Sequence, residues 1–133
     1  MTHTAAMLET APSASPYDLA ALSRCIESCL DCAQACTACA DACLAEETVG
    51  ELTRCIGLNL TCADMCAATA FTLSRQATSD DAAVRALVDA CVQACASCGA
   101  ECEHHADMHT HCRVCAEACR ACEQASRELL ASD

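Results

Sequence analysis

Six cysteines between residues 25 and 43 restrict the fold of this chain more than any other feature. They stand at Cys25, Cys29, Cys32, Cys36, Cys39 and Cys43, so the steps run 4, 3, 4, 3, 4. Alternating steps of 4 and 3 average about 3.5 residues, the period of a helical seam that faces partner helices. On such a helix the six thiols form one inward stripe, where a coiled coil places leucine. The same rhythm returns at Cys91, Cys95, Cys98 and Cys102, and again at Cys112, Cys115, Cys119 and Cys122. Cys55, Cys62 and Cys66 make a broken version, with Asn59 at the position a cysteine would fill. All 17 cysteines fall on these four ladders.

A chain of 133 residues has the size of one domain. Its 54% hydrophobic content rests heavily on alanine and cysteine, with Tyr17 and Phe71 as the only aromatics of that class. A formal charge of -12 argues against nucleic acid, whose phosphates call for Lys and Arg, and against anionic membrane surfaces. No stretch of about 20 uncharged apolar residues is present, so no membrane span is expected. Residues 1–16 have neither the apolar segment of a signal peptide nor a twin-Arg pair, which points to the cytoplasm. Thiols stay reduced there, so dense cysteine points to metal rather than disulfide. An odd number of cysteines also forbids complete internal pairing.

Residues 1–14 read as a disordered N-terminal arm and residues 15–133 as one bundle. The first long helix is expected from Ser15, with Pro16 as its first helical residue, to about Glu46. Thr48 to Glu51 has the form of a capping box, opening a second helix to about Gln76. Leu52, Ile56, Leu58, Leu60, Met65, Phe71 and Leu73 cannot all face one seam of it, so its surface either meets another subunit or makes a broad core face. Ser79, Asp80 and Asp81 suit the start of a third helix, to about His105. Asp107 is the expected cap of a fourth, from Met108 to about Leu130. Four helices with short connections give an all-α, antiparallel up-down-up-down four-helix bundle with a cysteine-lined core.

Antiparallel order stacks the ladders. Cys43, Cys55, Cys102 and Cys112 are expected near one end, with His104, His105, Met108, His109 and His111 beyond them. Below come Cys39, Asn59, Cys98 and Cys115, then Cys36, Cys62, Cys95 and Cys119, then Cys32, Cys66, Cys91 and Cys122. At the far end Cys25 and Cys29 face Thr69, Leu73, Val84, Val88, Ser126 and Leu129, an apolar plug.

Thiolates are soft ligands that select Cu(I), zinc or iron–sulfur centres. Charge separates these. Exchanging a thiol proton for Cu(I) leaves the charge unchanged, whereas a zinc ion with four thiolates carries a net -2 that a dry core holds at a heavy desolvation cost. Matching sulfur to copper gives on the order of 17 Cu(I) per chain. His105 and Met108 continue the inward seams, and His109 does so if the third helix extends; the His and Met cluster at 104–111 is either a set of mouth ligands or solvated side chains beside a turn. Asn59 is either a contact for a few ions or a break that spaces them. A zinc or cadmium reservoir and an iron–sulfur carrier are the competing readings. The second is disfavoured because Cys-x3-Cys-x2-Cys recurs here as a by-product of heptads, without alternating strands and helices.

These ladders, with Cys-x3-Cys-x2-Cys at Cys25–Cys32, Cys32–Cys39, Cys91–Cys98 and Cys115–Cys122, resemble the four-helix-bundle copper storage proteins of bacteria. Without a twin-Arg leader the chain is similar to their cytosolic branch. The resemblance implies a non-enzymatic store that fills with Cu(I) through a His- and Met-bearing mouth and protects against copper toxicity. It implies a homotetramer, and a copper chaperone as the donor. It carries a ligand role onto all 17 cysteines, with Asn59, His105, Met108 and His109 as further mouth or core ligands.

Overall fold

The computed structural model describes residues 2–132, and among these it contains helices and no strands. Its elements are α1 (Thr4–Thr10), α2 (Leu19–Leu44), α3 (Thr53–Leu73), α4 (Asp81–His105) and α5 (Thr110–Ala131). The four long helices form a ring in which each packs on two neighbours: α2 on α3, α3 on α4, α4 on α5 and α5 on α2. Short connections make successive helices antiparallel.

Helix starts differ from expectation where a better cap was at hand. Asp18 rather than Ser15 caps α2, its Oδ2 accepting from the Ala21 amide at 2.9 Å. Two acidic caps therefore begin α2 and α4, since Asp80 Oδ1 accepts from the Ala83 amide at 3.3 Å. The Thr48–Glu51 capping box does not form. Those residues make a single 3-10 turn, Val49–Glu51, without a side-chain cap, and α3 begins at Thr53. Asp107 does not cap α5 either; His109 holds that position, and Met108 stays in the turn.

The arm expected to be disordered contains α1, which packs on α2. Leu8 reaches the bundle core, and Thr2 Oγ1 hydrogen-bonds Glu27 Oε1 at 3.1 Å. Seven residues make a marginal helix alone, so contact with α2 holds it.

All 17 cysteines face inward and are buried. Small neighbours let the helices approach closely. At Gly99 a Cβ would lie 3.2 Å from Nε of Arg120, whose guanidinium crosses α4 to Glu103 Oε1 at 2.7 Å and meets Glu123 Oε1 at 2.9 Å. By length and hydropathy alone α3 and α4 would suffice to cross a bilayer. Their hydropathy owes much to inward thiols, and their outer faces carry the exposed Arg54, Asp64 and Asp89.

Candidate metal centre

The seam positions of four helices converge on one tube of sulfur. Its centre is a run of four-thiol groups with one ligand atom each, all atoms of a group within 4.8 Å: Cys32, Cys66, Cys95 and Cys122; Cys32, Cys36, Cys62 and Cys119; Cys36, Cys98, Cys115 and Cys119. Cys32, Cys36 and Cys119 each belong to two groups. Cys66 Sγ lies 3.7 Å from Cys95, 3.8 Å from Cys91 and 3.9 Å from Cys62 and Cys122. These are non-bonded contacts, well beyond the ~2 Å of a disulfide.

The stack follows the expected order, but α2 sits between the expected layers: Cys36 meets Cys98 and Cys115, Cys32 meets Cys62 and Cys119, and Cys39 meets Cys112. Cys29 was assigned to the plug, but its Sγ lies 3.6 Å from Cys122 and 4.0 Å from Cys91. The ladder thus extends a step further, because facing helices interdigitate rather than align in flat layers. Beyond it Cys25 meets Ser126, and Leu22, Leu73, Val88 and Leu129 close the end with no exposed surface.

Asn59 is fully buried among thiols. Its Oδ1 accepts from Cys98 at 3.0 Å and from Cys102 and Cys115 at 3.4 Å, and its Nδ2 donates to Cys55 Sγ at 3.7 Å. One amide therefore satisfies four sulfurs of α3, α4 and α5, a role that an apolar side chain cannot fill.

The other end, expected to be the mouth, lies between the α2–α3 and α4–α5 turns. Cys39, Cys43, His111 and Cys112 form a mixed group there. His111 Nδ1 is 3.5 Å from Cys39 Sγ and 3.6 Å from Cys112 Sγ. His111 Nε2 is buried without a hydrogen-bond partner. Sequence reasoning placed His111 near the mouth but left it out of the ligand set. The available signal was its place four residues before Cys115, on the same face of α5. His109 stacks on His111 with centroids 5.4 Å apart and pairs with Glu46. His105 turns its Nε2 to Glu101 at 2.8 Å. Met108 is 75% exposed and does not continue a seam, because α5 starts after it.

Hydrogen bonding and burial shift the thiols of the tube in opposite directions. Hydrogen bonding with Cys122 pushes the Cys66 thiol up, while Cys122 is pulled down, chiefly by Cys29. At the mouth, burial pushes Cys43 up and Cys112 up to about 12. A thiol raised in the folded state favours folding while it is protonated. That contribution is full below the ordinary value of 9.0 and disappears as pH rises towards 12. Metal-free, reduced protein is therefore expected to lose stability between about pH 9 and 12. Urea midpoints across that range check this; a rising midpoint would contradict it.

Residues 18–131 match the family model described as copper storage protein. Among curated proteins none matches the chain. Among solved structures, the copper storage protein Ccsp from Streptomyces lividans, loaded with 10 copper equivalents, is 56% identical, with a TM-score of 0.95 over 98% of this chain and 99% of that one. A structure of copper loading to a cytosolic copper storage protein from Streptomyces lividans, with five coppers, is 61% identical over 86% of this chain and 95% of that one, with a TM-score of 0.84. The Cu(I)-bound copper storage protein BsCsp3 of Bacillus subtilis is 37% identical over 80% of this chain and 94% of that one, with a TM-score of 0.71.

Proposed function

We propose the function of this chain from one premise: it belongs to the copper storage protein family. It sequesters Cu(I) in the cytosol, many ions per chain, and so limits copper toxicity. The observation that carries this reading is the sharing of sulfurs between successive four-thiol groups. A sulfur common to two groups can bridge two ions. Bridging lets copper and sulfur approach equal numbers, and equal numbers leave the dry interior uncharged.

All 17 cysteines are the proposed ligands. His111 joins them at the mouth, where its unpartnered Nε2 and its sulfur-facing Nδ1 favour a metal role. Asn59 is proposed as a core contact, and His109 as a mouth residue held by Glu46. Exposed Met108 and Glu101-bound His105 are weaker candidates for first capture. Over the filled tube, thiol protons are exchanged for cuprous ions about one for one, and no bond of a substrate is made or broken; the role is non-enzymatic. A homotetramer is proposed, and exposed Leu60 and Phe71 on α3 support a subunit contact there. A copper chaperone is the proposed donor.

Anaerobic titration with Cu(I) against a competing chelator tests the reading. Uptake of more than ten equivalents before free copper–chelator complex accumulates is expected, from the number of buried thiols. Saturation at one or two equivalents would remove the storage role.

A further inference from the structure

Ser126 continues the α5 ladder, four residues beyond Cys122, yet it carries oxygen where the ladder carries sulfur. It is fully buried. Hydroxyls on these helices commonly bond the carbonyl of their own preceding turn. Thr37 does so to Ala33 at 2.8 Å, Ser74 to Ala70 at 2.7 Å, and Thr69, the other buried hydroxyl of the closed end, to Met65 at 2.7 Å. Ser126 instead turns across the bundle to Cys25 Sγ at 3.5 Å. Thr69 has its hydrogen committed, so the Ser126 hydroxyl is the one aimed at the last sulfur.

That last sulfur differs electronically from the others. In the middle of the tube each thiolate has sulfurs on several sides and can bridge two ions. Cys25 has Cys29 on one side and the plug of Leu22 and Leu129 beyond. When Cu(I) displaces the protons of Cys25 and Cys29, both protons leave. Cys29 still shares its charge with the group of Cys91 and Cys122. With Cys29 as its sulfur neighbour, a Cys25 thiolate holding a single ion would keep excess negative charge in an apolar end. Once its proton has gone, Cys25 Sγ can only accept, so Ser126 must donate.

We propose that Ser126 is the positioning residue of the innermost copper site, donating its hydroxyl hydrogen to the terminal Cys25 thiolate and so allowing the Cys25–Cys29 pair to hold the last ion. This rests on the storage reading and adds where storage stops. Loss of a hydrogen bond to a charged group weakens binding by roughly tenfold to a hundredfold.

The test is copper-edge anomalous diffraction from fully loaded crystals of wild type, Ser126→Ala and Ser126→Cys, with release of the last equivalent to a chelator. An ion between Cys25 and Cys29 is expected in wild type. In Ser126→Ala that ion alone should be depleted, with release of the last equivalent roughly ten to a hundred times faster. In Ser126→Cys it should be retained, because a sulfur at this position can take a further ion and restore bridging. An alanine variant that holds the ion with unchanged release overturns the proposal. So does a wild-type tube filled elsewhere but empty at Cys25–Cys29, or a cysteine variant as depleted as the alanine one. Absence of copper throughout the wild-type tube would instead overturn the storage reading, and this proposal with it.

Discussion

Cys36→Leu is expected to remove about half of the copper capacity, although it deletes a single sulfur. Cys36 sits at the waist of the tube, with Sγ contacts to Cys119 at 3.6 Å, Cys32 and Cys115 at 3.7 Å and Cys98 at 3.9 Å. A leucine there fills space that interior packing leaves to nothing larger than a thiol. Overpacking of this kind costs about 1–3 kcal/mol, which the bundle survives. Ions arriving from the mouth would still reach Cys39, Cys43, Cys55, Cys102 and Cys112. They would be kept from Cys25, Cys29, Cys32, Cys62, Cys66, Cys91, Cys95 and Cys122. Cys36→Ser is the control, since it removes the same sulfur and leaves the passage open. It should lose about one or two ions. Metal-to-protein ratios after loading and desalting distinguish them. Equal small losses for both variants would show that copper does not travel the tube from a single mouth.

Copper loading is expected to raise the melting temperature by tens of degrees. An ion that binds only the folded chain adds about 2.7 kcal/mol at a free concentration one hundred times its dissociation constant. For a domain of this size each kilocalorie shifts the midpoint by about 3–5 °C, so a handful of ions suffices. The metal-free core makes the contrast larger. It contains few large apolar side chains, and its thiols meet one another at 3.6–4.0 Å rather than through bonds. Each ion ties together two or more helices that otherwise hold by such contacts. Scanning calorimetry of reduced protein at increasing copper ratios checks this. A midpoint that stays within a few degrees would mean that copper binds at the surface or binds the unfolded chain equally well.

The bundle and the thiol tube were legible in the sequence because both follow from one periodicity. A step of 3.5 residues fixes helix, inward face and stacking order together, and Cys66 lies beside Cys91 and Cys122 where it places it. What the pattern left out lies at the ends, where periodicity stops. Met108 reads as a seam position only if α5 already exists there, and a turn intervenes. His111 shares the face of Cys115 but lies in the first turn of α5, so its contacts with Cys39 and Cys112 depend on how the preceding turn presents those residues. Cys29 depends on the stagger between helices, which spacing within one helix does not contain. The helix α1 depends on contact with α2, and its own short sequence carries no comparable signal. Asn59 was visible as a gap in a ladder. That its amide satisfies four thiols at once is a property of three helices together.

The central claim is that cuprous ions replace protons in a closed interior without changing its charge. Proton release during anaerobic Cu(I) loading, followed in weakly buffered solution at pH 7 together with the bound metal, tests it most directly. One proton per copper, continuing on the order of 17 ions, is the expected result from the thiol count. Release that stops after a few ions, or that settles near two protons per copper throughout, would contradict it, because charge would then accumulate in the tube with every ion bound.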